Sequence, residues 1–154
     1  MLLAAVSVAS LAGIVGVWLQ RRRKRTHADY SHLLDGLSWQ DFEHIVAEAF
    51  RLKGYTVSRS DVGDDRVDLL LRKNGNLFLV NCAQWKVPMV GEKVLRELYG
   101  LMAAYGALGG FVVTSGTFTP AAYKFSEGRN LRLLAGPHLQ ELMRSVPRTV
   151  RVNT

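Results

Sequence analysis

Asp68, Asn81 and Glu43 are the residues whose types and spacing promise chemistry. Asn74-Gly75, between two apolar runs, is a strong hairpin signal, the two-residue type I′ turn. In the register it sets, Lys73 faces Asn76, and further back Asp68 faces Asn81 and Arg66 faces Ala83. Directly opposed residues hold their Cβ atoms about 4.5–5.5 Å apart, so the Asp68 carboxylate and the Asn81 amide oxygen converge on one hard cation. Mg²⁺ takes oxygen ligands and keeps several waters, so one carboxylate and one carbonyl suffice to begin a site. Glu43, beside the apolar stripe of the first helix, offers a third oxygen. A metal-dependent phosphodiesterase would also want a cation on the Asn81 face of its strand, and Ala83 stands there.

Each of these residues also has a plainer reading. An aspartate on an apolar strand is costly without a partner, which favours a metal site, present or former. Asn81 serves equally well as a hydrogen-bonded strand end. Glu43 reads as a solvated helix acid, and Arg66 beside Asp64 and Asp65 as half of a loop ion pair. Lys86 falls on the opposite strand face from Ala83, as a phosphate contact or a solvated charge. Lys93 and Arg96 suit DNA phosphates, but a helix flank carries such charges anyway. The four histidines have no ligand spacing, which argues against zinc. Cys82 has no second cysteine to bridge to, and in an apolar run it reads as a small buried side chain.

The elements that must position these groups follow from period and punctuation. Ser38 with Asp41 forms a capping pattern before Phe42, Val46, Ala49 and Phe50 at helical spacing, and Gly54 ends that helix. Strands are expected over residues 55–60, 66–73 and 76–84, and a helix over 91–105. An apolar strand at 111–114, a helix capped by Thr119 with Pro120, a strand at 131–135 and a helix opening at Gly136-Pro137 complete the chain. The order α-β-β-β-α-β-α-β-α gives an α/β fold, a mixed sheet with helices on both faces.

The bulk charge is less informative than its sign suggests. The chain has a net charge of +7, but five of its 20 Lys and Arg lie at 21–25, in RRRKR. The other fifteen face 13 acids, a balance of about +2, so composition alone argues weakly for DNA. Residues 2–19 contain no charge and would span roughly 27 Å as a helix, enough for a single membrane crossing. The basic block follows the span, which under the positive-inside rule puts the C-terminal domain in the cytoplasm. Ala5, Ala9 and Gly13 form a small-residue stripe that offers a packing face to a second copy, a homodimer. The expected organisation is a transmembrane helix at 1–20, a basic juxtamembrane linker at 21–36, a domain at 37–147 and a C-terminal tail at 148–154.

The pieces WQDFEHIVAEAFRLKGYTV, GDDRVDLLLRKNGNLFLVNCAQW, EKVLRELYGLMAAYGALGGFVVTSGTFTPAA and LRLLAGPHL resemble the Mrr-type, or type IV, restriction endonuclease domain of the PD-(D/E)XK nuclease superfamily. The resemblance runs from about Leu37 to Met143 and implies a restriction-endonuclease-like mixed sheet flanked by helices. It places Glu43 at the family's first-helix acid, Asp64 at its loop aspartate and Asp68 at its metal-binding aspartate. The Gln-x-Lys of the next strand falls on Asn81, Cys82 and Ala83, followed by Gln84 and Trp85, and Lys93, Arg96 and Glu97 match the next helix. Arg66 stands where the family usually has glycine, and Ala83 replaces the lysine that orients water and stabilises charge. The resemblance implies catalytic positions at Glu43, Asp68, Asn81 and Ala83, with Arg66 as a substitute cation. It implies Mg²⁺ on Asp68, Asn81 and Glu43, and duplex DNA, not a small-molecule substrate, against Lys86, Lys93 and Arg96. The expected function is a DNA-binding, nuclease-like protein of the bacterial inner membrane, weak or inactive in hydrolysis. The alternative is an active Mg²⁺-dependent endonuclease, in defence or DNA processing, with its cation from Arg66, Lys86 or Lys93.

Overall fold

A computed structural model describes residue 34 and residues 36–60, 66–82 and 85–151. The span expected at 2–19, its small-residue stripe, the basic block at 21–25, Asp64, Asp65, Ala83 and Gln84 lie outside the described residues. No described helix is long and apolar enough to cross a membrane.

Helix α1, Trp39–Leu52, begins as its sequence dictates. The Ser38 hydroxyl accepts the Asp41 N–H at 3.1 Å, and the Asp41 carboxylate accepts the Ser38 N–H at 3.1 Å, a complete capping box. The Ser38 hydroxyl also donates to the Asp41 carboxylate at 2.5 Å, and that bond, followed by the one from the Ser38 N–H, holds the Asp41 carboxyl below its usual range. The helix buries Phe42, Ile45, Val46, Ala49 and Phe50, the stripe that its 3.6-residue period lays on one side.

Five strands form the main sheet: β1 Thr56–Arg59, β2 Leu69–Lys73, β3 Asn76–Asn81, β5 Gly109–Val113 and β7 Leu131–Leu134, in the order β1-β2-β3-β5-β7. The pairs β1–β2 and β2–β3 are antiparallel, and β3–β5 and β5–β7 are parallel, so the sheet is mixed as expected. Asn74 and Gly75 both take positive φ, 51° and 77°, and Lys73 pairs with Asn76. Helix α2, Glu92–Tyr105, and helix α3, Pro120–Ser126, pack together, with Leu95, Leu98, Met102, Ala122 and Phe125 sharing a core with Leu79 and Val112. A second, aromatic layer joins Phe50, Tyr55, Phe78 and Phe111, with Phe50 and Phe111 centroids 4.8 Å apart. Helix α4, Gly136–Arg144, packs against α1.

Three features depart from the sequence reading. Two-residue strands β4, Met89–Val90, and β6, Thr117–Phe118, pair in parallel, too short for alternation to reveal them. The expected C-terminal tail contains a short helix α5, Arg148–Arg151. The strands expected to run from Arg66 and to Gln84 are shorter, with regular pairing ending at Leu69 opposite Val80. Side-chain hydrogen bonds replace the ladder beyond that point.

Candidate active site

Where the β2–β3 ladder stops, Asp68 and Asn81 take over its hydrogen bonding. Asp68 donates its N–H to the Val80 carbonyl at 2.9 Å, and its Oδ2 accepts the Cys82 N–H at 2.5 Å. Asn81 donates its side-chain N–H to the Arg66 carbonyl at 2.8 Å. The direct Asp68–Asn81 pairing extrapolated from the hairpin is therefore not reached, and Ala83, the expected partner of Arg66, lies outside the described residues. Arg66 is exposed and sits in a turn three residues before β2 begins, not in the strand as expected.

Asn81 is buried, yet its Oδ1 has no hydrogen-bond partner. An unsatisfied buried acceptor costs about 1–3 kcal/mol, and native folds rarely leave one without a purpose. The amide is pinned through its nitrogen, which fixes where this oxygen lies. The Asp68 carboxylate accepts the Cys82 N–H and makes further contacts besides. An amide oxygen and a carboxylate are the donors Mg²⁺ prefers, so these residues fit such an ion.

Glu43 lies on α1 and is 7% exposed. Its Oε1 accepts the Nε–H of Arg59, at the end of β1, at 3.0 Å. Cys82, next to Asn81 in the chain, is fully buried. Burial pushes its thiol well above the usual range, and the charges of Asp68 and then Glu43 push it further. Among the described residues no three His, Cys, Asp or Glu side chains cluster as a metal-ligand set.

The chain leaving β3 is held firmly. Trp85 is buried and stacks on Phe42 with centroids 4.5 Å apart. Its carbonyl accepts the Ser115 N–H at 2.7 Å, and the Pro88 carbonyl accepts the Thr117 N–H at 3.0 Å. A Cβ on Gly116 would come within 2.1 Å of the Val87 carbonyl oxygen, so only glycine admits this crossing.

The expected DNA contacts are less free than their charges suggest. Lys86 donates to the Leu37 carbonyl at 3.3 Å and lies 4.4 Å from the Trp85 ring centroid. Lys93 is within 3.9 Å of Glu97, and Arg96 pairs with Glu92 while lying over Phe125. Sequence reading missed Arg59 altogether, because a lone arginine ending a short strand carries no pattern. Cys82 is a buried side chain, as read, and its backbone N–H, which side-chain type cannot reveal, also donates to Asp68.

The restriction endonuclease family of Mrr catalytic domains matches residues 34–143. The chain belongs to this family. The domain is thus a restriction-endonuclease-like nuclease domain of the PD-(D/E)XK superfamily. Among solved structures, a protein of unknown function, AF1548, superposes with a TM-score of 0.59 at 17% identity, covering 71% of this chain and 69% of that one. The MspJI restriction endonuclease, solved with a 27-mer oligonucleotide, gives a TM-score of 0.46 at 19% identity, covering 97% of this chain and 34% of its own. No curated protein matches.

Proposed function

We propose that this Mrr-family domain binds duplex DNA and an Mg²⁺ ion but hydrolyses phosphodiesters slowly or not at all. The carrying observation is the Asn81 Oδ1 atom, buried and without a partner beside Asp68. It supports a retained ion site at positions where the superfamily generally uses Mg²⁺. Asp68, Asn81 and Glu43 would hold the ion, which supplies positive charge to a phosphate oxygen when bound.

The residues of the chain itself limit the reaction. Ala83 occupies the family's lysine position and has no group to orient water or stabilise developing charge. Loss of one preorganised donor costs on the order of 10²–10³ in rate, by analogy with oxyanion holes. Arg59 brings a cation to Glu43, but a guanidinium stays protonated and cannot exchange a proton with water. Plasmid nicking by the full chain with Mg²⁺ or Mn²⁺ tests this directly. Near-background nicking, rising on the order of 10²-fold in Ala83→Lys, is expected. Brisk nicking by the natural protein overturns it.

The uncharged residues 2–19 followed by RRRKR support anchoring in the bacterial inner membrane with the domain cytoplasmic. Foreign or modified DNA reaching the inner face is then the substrate to which a defence role would apply. A reporter fused after Thr154 that works only in the periplasm would refute this topology.

A further inference from the structure

Among the described residues, two buried side-chain polar atoms have no hydrogen-bond partner: Asn81 Oδ1 and Ser60 Oγ. The first belongs to the proposed ion site. The second lies beside it.

Ser60 follows the last residue of β1 and is held against Asp68. Strands β1 and β2 pair in antiparallel register as far as Arg59 opposite Leu69, and the Ser60 N–H donates to the Asp68 carbonyl at 3.0 Å. That bond carries the register one pair further, with Ser60 opposite Asp68. Directly opposed residues project from the same side of a sheet with Cβ atoms about 4.5–5.5 Å apart, so the hydroxyl and the carboxylate are neighbours. The carboxylate is drawn the other way, towards β3, where its Oδ2 accepts the Cys82 N–H at 2.5 Å. Each strand beside Asp68 thus brings one unpartnered oxygen, Ser60 Oγ after β1 and Asn81 Oδ1 at the end of β3.

We propose that Ser60 is a positioning residue of the ion site, its hydroxyl oxygen accepting a hydrogen bond from a water that the ion carries. This rests on the Mg²⁺ reading of Asp68 and Asn81. Mg²⁺ gives up its waters reluctantly and keeps several of them, and their hydrogens need acceptors. A hydroxyl one side chain away from a ligating carboxylate is such an acceptor.

Burial is what makes the hydroxyl count. Shut off from bulk water, an unmet hydroxyl costs free energy without the ion, and a water arriving with the ion relieves that cost. Ser58 supplies the contrast. It is the same residue type two positions earlier on β1, but it is exposed, so its hydroxyl is already hydrated and gains nothing from an ion.

Calorimetric titration of the full chain in detergent with Mn²⁺, standing in for Mg²⁺, tests the proposal together with thermal melts in EDTA. Ser60→Ala should weaken Mn²⁺ binding at least about tenfold, the lower end of what losing a group that orients a metal's ligands costs. Its metal-free melting temperature should be no lower than that of the natural chain, because the hydroxyl removed had no partner. Ser60→Thr, which keeps the hydroxyl, should bind Mn²⁺ as the natural chain does, and so should Ser58→Ala. Asp68→Ala should lose the binding. Undiminished affinity in Ser60→Ala, with binding lost in Asp68→Ala, overturns the role of Ser60 alone. A lower metal-free melting temperature in Ser60→Ala overturns it too, because the hydroxyl would then be bonded within the fold. No Mn²⁺ binding by the natural chain, or binding unaffected by Asp68→Ala, removes the ion site itself and Ser60 with it.

Discussion

Glu43 and Arg59 form an ion pair across two elements, with Nε 3.0 Å from Oε1. The carboxylate is almost enclosed while the guanidinium is two-thirds exposed, so the arginine both satisfies a buried acid and competes with any metal for it. Arg59→Ala should therefore raise Mn²⁺ affinity several-fold, measured by calorimetry. The same change should lower metal-free stability by no more than about 1 kcal/mol, because the arginine is largely solvated. Unchanged metal affinity would separate Glu43 from the ion site.

Asn81→Asp separates the two jobs of one side chain. It replaces the amide donor that holds the Arg66 carbonyl at 2.8 Å with a carboxylate oxygen that repels it. It also adds charge where the unpartnered Oδ1 lies. Without metal the variant should lose about 1–3 kcal/mol of stability. Millimolar Mg²⁺ should recover much of that loss and stabilise the natural chain less. Thermal melts with and without EDTA read both effects, and equal Mg²⁺ responses would reject Asn81 as a ligand.

How much of this was legible in the sequence depends on the range over which each feature is encoded. The Ser38–Asp41 capping box and the Asn74-Gly75 turn are written in adjacent residues, and both appear as read. The register from Lys73 opposite Asn76 to Leu69 opposite Val80 follows from that turn by counting. Counting failed at Asp68, because a side chain that accepts a backbone N–H competes with the ladder and the pattern of residue types does not show it. Arg59 was illegible for a different reason. Its partner is sixteen positions away on another element, and the pairing exists only once α1 lies beside β1. The pairs of β4 with β6 and of Trp85 with Phe42 are likewise products of tertiary folding.

Cys82 should be chemically silent in the native protein and conspicuous once unfolded. Its side chain has no exposure, and burial followed by Asp68 and Glu43 disfavours the thiolate. The folded pKa lies above the unfolded one, so the unfolded chain gives up its proton first as pH rises. The contribution of the thiol is complete below about pH 8.5 and declines above it, at up to about 1.4 kcal/mol per pH unit. Denaturant melts from pH 7 to 10 should show this slope in the natural chain and a shallower one in Cys82→Ala. Thiol reagents should label the natural chain slowly at pH 8 and at once in urea.

Lys93 and Arg96 occupy one turn of α2, but their surroundings predict different consequences when each is removed. Lys93 is 87% exposed and only 3.9 Å from Glu97, a loose pair that a phosphate can displace. Arg96 is bound to Glu92 and lies 4.6 Å from the Phe125 centroid, while Arg129 lies 4.4 Å from the same centroid. Each phosphate contact steepens the dependence of log affinity on log salt by about 0.9. Lys93→Ala should therefore reduce that slope by about one and leave the melting temperature unchanged. Arg96→Ala should cost about 0.5–1 kcal/mol through its lost ring contact, whatever it does to DNA. Glu97→Gln, which releases Lys93, should strengthen binding at low salt. Fluorescence anisotropy with duplex DNA from 50 to 200 mM salt provides the measurement. A slope unaffected by both Lys93→Ala and Arg96→Ala would move the DNA surface away from α2.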